Sequence, residues 1–213
     1  MKRRLLCLLG ITGLGLSSSL VMVWNAFPRS LLNQTVACPT NRAVLASGVQ
    51  ILETQYWQGG MIALYSAVCP KNPKGETQRV LGYKILRREG MNWLVEGSDG
   101  HAVTFVPSST KHLAEYEVSY PTDATQKRYT VLYGQVFSSR VAAIEATFDD
   151  GQVVREPTLS GVFALVLPKP AIVCEVRMLG VDNQILGVNE HLVSHRFAHF
   201  RRHQRCLPAS QQL

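Results

Sequence analysis

The chain contains one long, uncharged and mainly apolar run, followed by many short hydrophobic runs. The long run, Leu5–Trp24, has twenty residues and no charge. The short runs begin after residue 43 and are separated by Gly, Pro, Asn and Asp, and several of them alternate apolar and polar residues. Alternation of this kind over short stretches is typical of half-buried β-strands. The pattern therefore predicts an all-β or β-dominated α+β fold behind one N-terminal transmembrane helix.

Residues 44–120 are predicted to form a small antiparallel β domain. Two pairs of β-prone runs are each joined by a glycine-containing turn, which is a hairpin signal. The expected hairpins are Val49–Trp57 with Met61–Val68, and Val80–Arg87 with Asn92–Glu96. A turn at Gly97–Gly100, a strand over His101–Val106, a short helix over Ser108–Ala114 and a strand over Tyr116–Tyr120 are expected to follow.

Residues 121–128 (PTDATQKR) are polar and predict a linker, and residues 129–188 predict a β-sandwich. Val141–Phe148 and Ile172–Leu179 alternate, Asp149-Asp150-Gly151 suits a hairpin turn, and Gly161–Leu167 is a short apolar strand. About six short strands at intervals of about ten residues are typical of a small sandwich.

Several motifs in this second region resemble exported bacterial Ig-like or transthyretin-like modules. They are Gly134-Gln135-Val136, Val141–Phe148 with Asp150-Gly151, Gly161–Pro168, and Glu175-Val176-Arg177. The resemblance covers residues 129–188 only, and the remainder resembles no functionally characterised family. It implies a β-sandwich that serves as a spacer or binding module, and it implies no catalytic residues.

The long apolar run is predicted to cross a membrane. About twenty residues of helix span the hydrocarbon core of a bilayer, and Lys2, Arg3 and Arg4 before the run favour a cytoplasmic start. The sequence after Val21 offers no Ala-x-Ala cleavage site, which favours a permanent anchor in residues 1–26 over a cleaved signal. A buried helix of a soluble protein is a third reading. Residues 27–43 are interpreted as a stalk, with the C-terminal region outside the cytoplasm.

The net charge of +7 does not indicate a nucleic-acid partner. Residues 2–4 supply +3, and the segment 189–213 supplies another +3, which leaves +1 for residues 5–188. A nucleic-acid binder concentrates positive charge on a folded face. The expected partners are instead the membrane, through Leu5–Trp24, and an envelope protein.

The five cysteines predict at least one disulfide. Four of them lie beyond the apolar run, and four cysteines allow three pairings, which sequence alone leaves open. Cys38–Cys69 is favoured because each cysteine precedes a loop-like proline. Cys174 lies inside a strand pattern and is interpreted as a small buried hydrophobic residue.

The segment 189–213 is basic and carries histidines at every fourth position: His191, His195, His199 and His203. On a helix, a His pair at i and i+4 shares one face and can hold a divalent transition metal. A solvated histidine face, a disordered tail and a helix lying on anionic lipid are the alternatives.

No catalytic motif is evident, and no enzymatic activity or cofactor is expected. Ser98, Asp99 and His101 lie within one five-residue stretch, too close together to form a triad from separate elements. Tyr56, Trp57 and Trp93 either form a binding surface or cap a small core.

The expected function is a membrane-anchored, extracytoplasmic binding or assembly module of the cell envelope. The first alternative is divalent-metal handling through the four histidines. The second is a hydrolase whose site lies in the first β domain.

Overall fold

The computed structural model describes residues 36–38, 41–57, 60–72, 75–90, 92–103, 113–120, 129–158, 160–190 and 206. Within these ranges all regular elements are β-strands, which confirms a β-dominated fold. The strands form antiparallel sheets. The apolar run Leu5–Trp24, the linker 121–128 and the four C-terminal histidines lie outside the described residues.

The strands range from 2 to 13 residues and follow one another closely along the chain. Their bounds are β1 Ala37–Cys38, β2 Asn41–Leu45, β3 Ser47–Trp57, β4 Gly60–Pro70, β5 Thr77–Glu89, β6 Asn92–Ala102, β7 Ala114–Ser119, β8 Thr130–Val136, β9 Ala143–Phe148, β10 Val153–Pro157, β11 Val162–Leu167, β12 Val173–Leu179 and β13 Ile185–Glu190.

Sheet I is the meander β3-β4-β5-β6, and it contains both predicted hairpins. The prediction of a turn at Gly97–Gly100 is wrong, because these residues continue β6 and pair with β5. Gly100 lies opposite Gly82 in this ladder. A Cβ on Gly82 would lie 2.5 Å from the Tyr65 ring, so glycine here permits close packing rather than a turn.

Sheet II has the strand order β11-β8-β7. Its edge strand β7 pairs with β8 from Ala114↔Val136 to Ser119↔Val131. β7 lies within residues 44–120, which the sequence analysis predicts as the first β domain, and it pairs here with β8, which follows the 121–128 segment. Ala114, expected to end a helix, begins this strand.

Sheet III has the order β10-β9-β12-β13 and packs against sheet II. The predicted turn at Asp149-Asp150-Gly151 joins β9 to β10, and Gly151 has the positive φ (79°) that the turn requires. The two sheets enclose a core that includes Leu132, Phe163, Ile144 and Val176.

Sheet II is the middle layer of three, with sheet I packed on its other face. Val131 and Tyr133 of β8 contact sheet I residues such as Tyr83, whereas Leu132 faces the sandwich core. Both faces of β8 and β11 are buried, which explains their nearly continuous apolar sequences. Burying one such large side chain contributes about 1.5–3 kcal/mol.

The two-stranded sheet β1–β2 lies against the opposite face of sheet I. Buried Val36 packs with Tyr65 and Ala67, and buried Cys38 packs with Val80. Residues 37–38 and 41–43 fall within the region interpreted from the sequence as a stalk, and they lie here in the paired strands β1 and β2.

Candidate functional site

The candidate site is a polar contact between sheet I and sheet II. Asp99 and His101 point inward from edge strand β6, because they are two residues apart and period-two alternation puts them on the same face. Glu117 and Ser119 lie at the same spacing on edge strand β7. The two edges meet across an otherwise apolar interface, and their polar side chains interact there.

A chain of hydrogen bonds ends on the Asp99 carboxylate. The Tyr83 hydroxyl donates to Ser119 Oγ at 2.9 Å, and Ser119 Oγ donates to Asp99 Oδ2 at 2.6 Å. The Gly100 amide donates to Asp99 Oδ1 at 2.8 Å. Burial raises the pKa of Tyr83 well above its usual range, so this phenol stays a proton donor. The chain ties β5, β6 and β7 together.

His101 lies beside this chain in a less satisfied environment. Its ring centroid is 5.0 Å from that of Tyr133, and its Nδ1 is 4.0 Å from a Glu117 oxygen. Neither ring nitrogen of His101 has a hydrogen-bond partner among the described residues, and the same holds for the Tyr133 hydroxyl. Burial lowers the pKa of His101, and the carboxylates of Glu117, Glu115 and Asp99 oppose that shift.

Ser119, His101 and Asp99 do not form a nucleophile–base pair in this structure. The Ser119 hydroxyl donates to a carboxylate, and its residue is 6% exposed. A triad needs the serine proton directed at an imidazole that a carboxylate orients. The geometry is that of a buried structural network.

A second polar contact joins the opposite edges of sheet I and sheet III. Gln55 of β3 donates through Nε2 to Glu156 of β10 at 2.7 Å, and the Ser160 hydroxyl donates to Glu53. Burial and the nearby Glu53 carboxylate raise the pKa of Glu156. This contact fixes β3 against the sandwich.

A third polar contact involves Glu96 of β6. Its side chain is 7% exposed, pairs with Arg87 and accepts a hydrogen bond from the Tyr129 hydroxyl. Tyr129 is the first described residue after the 121–128 segment, so this bond holds the start of β8 against sheet I.

The structure joins Cys38 to Cys69, the pair favoured by the sequence. Cys174 bonds to Cys206, which corrects its interpretation as a simple buried hydrophobic residue. The disulfide connects strand β12 to the C-terminal segment. The Cα atoms of Cys174 and Cys206 are 5.3 Å apart, within the usual range for a disulfide. Disulfides persist in oxidising compartments, so the two bonds indicate an oxidising, extracytoplasmic location.

His191, His195, His199 and His203 lie outside the described residues, between Glu190 and Cys206. Both of those residues are attached to β12: Glu190 pairs with Glu175, and Cys206 is bonded to Cys174. The Cys174–Cys206 bond therefore closes a covalent loop of chain whose sequence contains the four histidines.

The three aromatic residues predicted as a surface differ in their surroundings. Tyr56 is 63% exposed, whereas Trp93 is partly buried against Met61 and Leu86. The backbone of Trp57 ends β3, and its side chain lies outside the described part of the molecule. Only Tyr56 is thus shown as an exposed member of the predicted surface.

No helix among the described residues is long and apolar enough to span a bilayer. No group of three His, Cys, Asp or Glu side chains there is placed to hold a metal ion.

The residues that build the contact between sheets I and II were missed by sequence reasoning, except for Asp99 and His101. Glu115, Glu117 and Ser119 alternate along one short strand, and this spacing was the available signal for a shared face. Nothing in the sequence indicated that this face meets β6.

Comparison of the chain with family models, with curated proteins and with solved structures found no match. The fold and site define a class: an all-β, disulfide-bonded protein in which three stacked sheets are joined by polar contacts.

Proposed function

We propose that this chain is a non-catalytic binding or assembly module of the cell envelope, anchored in the membrane by Leu5–Trp24. The observation that carries the proposal is the pair of disulfides, Cys38–Cys69 and Cys174–Cys206, in a folded region that follows an apolar segment of membrane-spanning length. Disulfides and a positively charged start before that segment point to the same topology.

The strand order supports an Ig-like interpretation of the sandwich. Numbering its seven strands from β7 to β13, sheet II has the fifth, second and first strands, and sheet III has the fourth, third, sixth and seventh. The immunoglobulin constant arrangement differs in placing its fourth strand with the first, second and fifth. Modules of this architecture commonly serve in adhesion and assembly, and fold alone does not define the ligand.

The proposed binding surface lies at the end of sheet I that carries Tyr56 and Val95. These residues share one row across the four strands, through Met61 and Leu86, and they are 63% and 45% exposed. Met61 and Leu86, which lie between them, are buried, so Tyr56 and Val95 are two separate exposed side chains. Exposed aromatic and aliphatic side chains of this kind occur at protein contacts.

Cross-linking and affinity capture of the full chain from its native membrane test this proposal. Capture of a defined envelope protein is expected, and Tyr56→Ser combined with Val95→Ser is expected to reduce it at least about tenfold. Val181→Ser is the matched control, because Val181 is 77% exposed in the β12–β13 turn. Equal capture by both variants would rule out this surface.

Fractionation tests the anchor separately. The full-length chain is expected in the membrane fraction, with its N-terminal residues retained. A soluble mature protein that begins near residue 27 would refute the anchor and leave export intact.

Divalent-metal handling is the second candidate function, and the Cys174–Cys206 bond favours it. A disulfide that closes a loop lowers the entropy cost of bringing residues within that loop together, and the four histidines lie between Cys174 and Cys206 in the sequence. Zn²⁺ titration of the oxidised full chain is expected to show binding that weakens on exchanging all four histidines for Gln. Binding that survives the exchange, or no binding, would refute this function.

A further inference from the structure

The side chain of His101 is 13% exposed at the contact between sheets I and II, and strands from both sheets surround it. The facing titratable groups are Asp99 on its own strand, Tyr83 on β5, Glu115 and Glu117 on β7, and Tyr133 on β8. Tyr133 is fully buried and bridges the rings of Tyr83 and His101, with centroid distances of 4.8 and 5.0 Å. A change of charge at His101 therefore acts on both sheets at once.

The unpartnered atoms at this contact make it sensitive to protonation. Both ring nitrogens of His101 and the Tyr133 hydroxyl are buried without a hydrogen-bond partner in the described part of the chain. The Glu117 carboxylate is 4.0 Å from Nδ1, and its side chain is 41% exposed. A proton added to His101 thus places a charge in an interface that offers it no hydrogen bond at ordinary distance.

We propose that His101 is a proton-sensitive element of the contact between sheets I and II, and that protonation of its ring loosens β6 against β7. Mild acid then increases opening of this contact while the sandwich core of sheets II and III stays closed. The device is independent of the binding function proposed above.

The direction of the change in stability with pH follows from the difference between the pKa of His101 in the folded and in the unfolded chain. Burial lowers the pKa of His101 in the folded protein below its ordinary value of 6.5, so the folded state favours the neutral ring. The stability that this group contributes is fully present above pH 6.5. It is lost as the pH falls from there through the lower folded pKa.

Hydrogen–deuterium exchange of the full chain, corrected for the intrinsic pH dependence of exchange, tests the proposal. On moving from about pH 7.5 to about pH 5.5, amide exchange in β6 and β7 is expected to rise at least about threefold, with β9 as the internal reference. His101→Gln is expected to remove most of this rise. His112→Gln, the nearest other histidine in sequence, is expected to retain it.

Glu117→Gln keeps the proposal testable if His101→Gln does not fold. Removing this carboxylate takes away a group that favours the charged ring, so the rise in β6 and β7 exchange is expected to become larger. An acid response that His101→Gln leaves unchanged, or that Glu117→Gln abolishes, would overturn the proposal. A uniform rise that includes β9 would also overturn it, because it would reflect global unfolding.

Discussion

The Ser119 hydroxyl donates to the Asp99 carboxylate at 2.6 Å across the boundary between sheet II and sheet I. The two residues are twenty positions apart, with the 104–112 segment between their strands. The bond links the edge of the N-terminal meander to the first strand of the sandwich. Sheets I and II are consequently joined by a directional polar contact as well as by apolar packing.

Ser119→Ala is expected to destabilise the protein by about 1–3 kcal/mol, because it leaves buried polar partners on Asp99 and Tyr83 unsatisfied. Urea unfolding followed by circular dichroism measures this change. Ser98→Ala, an exposed serine on the neighbouring strand β6, is expected to stay within about 0.5 kcal/mol of wild type. Equal effects of the two changes would contradict the structural role of the Ser119–Asp99 bond.

Gly134→Ala is expected to lower the free energy of unfolding by at least about 1–3 kcal/mol, because β7 and β8 approach closely at this residue. An added Cβ would lie 2.2 Å from the Glu115 carbonyl oxygen, and this backbone atom cannot move without disturbing the strand. Gly187→Ala is the comparison, since its Cβ would meet the flexible end of Leu113 at 3.1 Å. Thermal unfolding should rank Gly134→Ala as clearly the more damaging change.

Thiol counting by alkylation and mass spectrometry is expected to give one reactive thiol in the unreduced, denatured full chain and five after reduction. The chain has five cysteines, and the two disulfides leave Cys7. Three or more thiols before reduction would refute one of the pairings.

Replacing both Cys38 and Cys69 with Ala is expected to lower stability by about 2–4 kcal/mol.

Glu156→Gln is expected to improve stability relative to wild type more at pH 7 than at pH 4. Burial and Glu53 raise the pKa of Glu156 above 4.5, so the folded state binds its proton more tightly than the unfolded chain. The contribution of Glu156 to folding stability therefore declines as the pH rises through its folded pKa. Gln does not titrate, so the variant lacks this decline, and its amide oxygen still accepts a hydrogen bond from Gln55.

Urea midpoints at about pH 4 and pH 7 measure this difference, and exposed Glu89→Gln serves as the control. The prediction fails if the Glu156→Gln chain gains less at pH 7 than at pH 4.

Local sequence patterns predicted the two hairpins of sheet I and the turn between β9 and β10. Gly90 and Asp149-Asp150-Gly151 marked real turns, and the strands on either side of the Gly59-Gly60 signal pair as β3 and β4, because turn geometry depends on a few adjacent residues. The turn predicted at Gly97–Gly100 was wrong, because two nearby glycines suggest a turn from local sequence alone. In the structure, Gly100 and its partner Gly82 instead allow close packing.

The candidate site was only half predictable. Cys38–Cys69 followed from local loop signals, whereas Cys174–Cys206 requires the C-terminal segment to return to β12. Likewise, Asp99 and His101 could be recognised in the sequence as residue types that take part in catalysis. Their partners Ser119 and Glu117 come from strand β7, for which the sequence predicted no contact with them.

The sequence by itself determined the β-rich class, the apolar N-terminal run and most turns, because these depend on side-chain periodicity and backbone preferences within a few residues. Tertiary structure decided the rest: β7 joined the sandwich, sheet II became the middle layer, and His101 became buried among carboxylates. These outcomes depend on which apolar faces pack together across long chain separations. Period-two alternation identifies such faces and does not specify their partners.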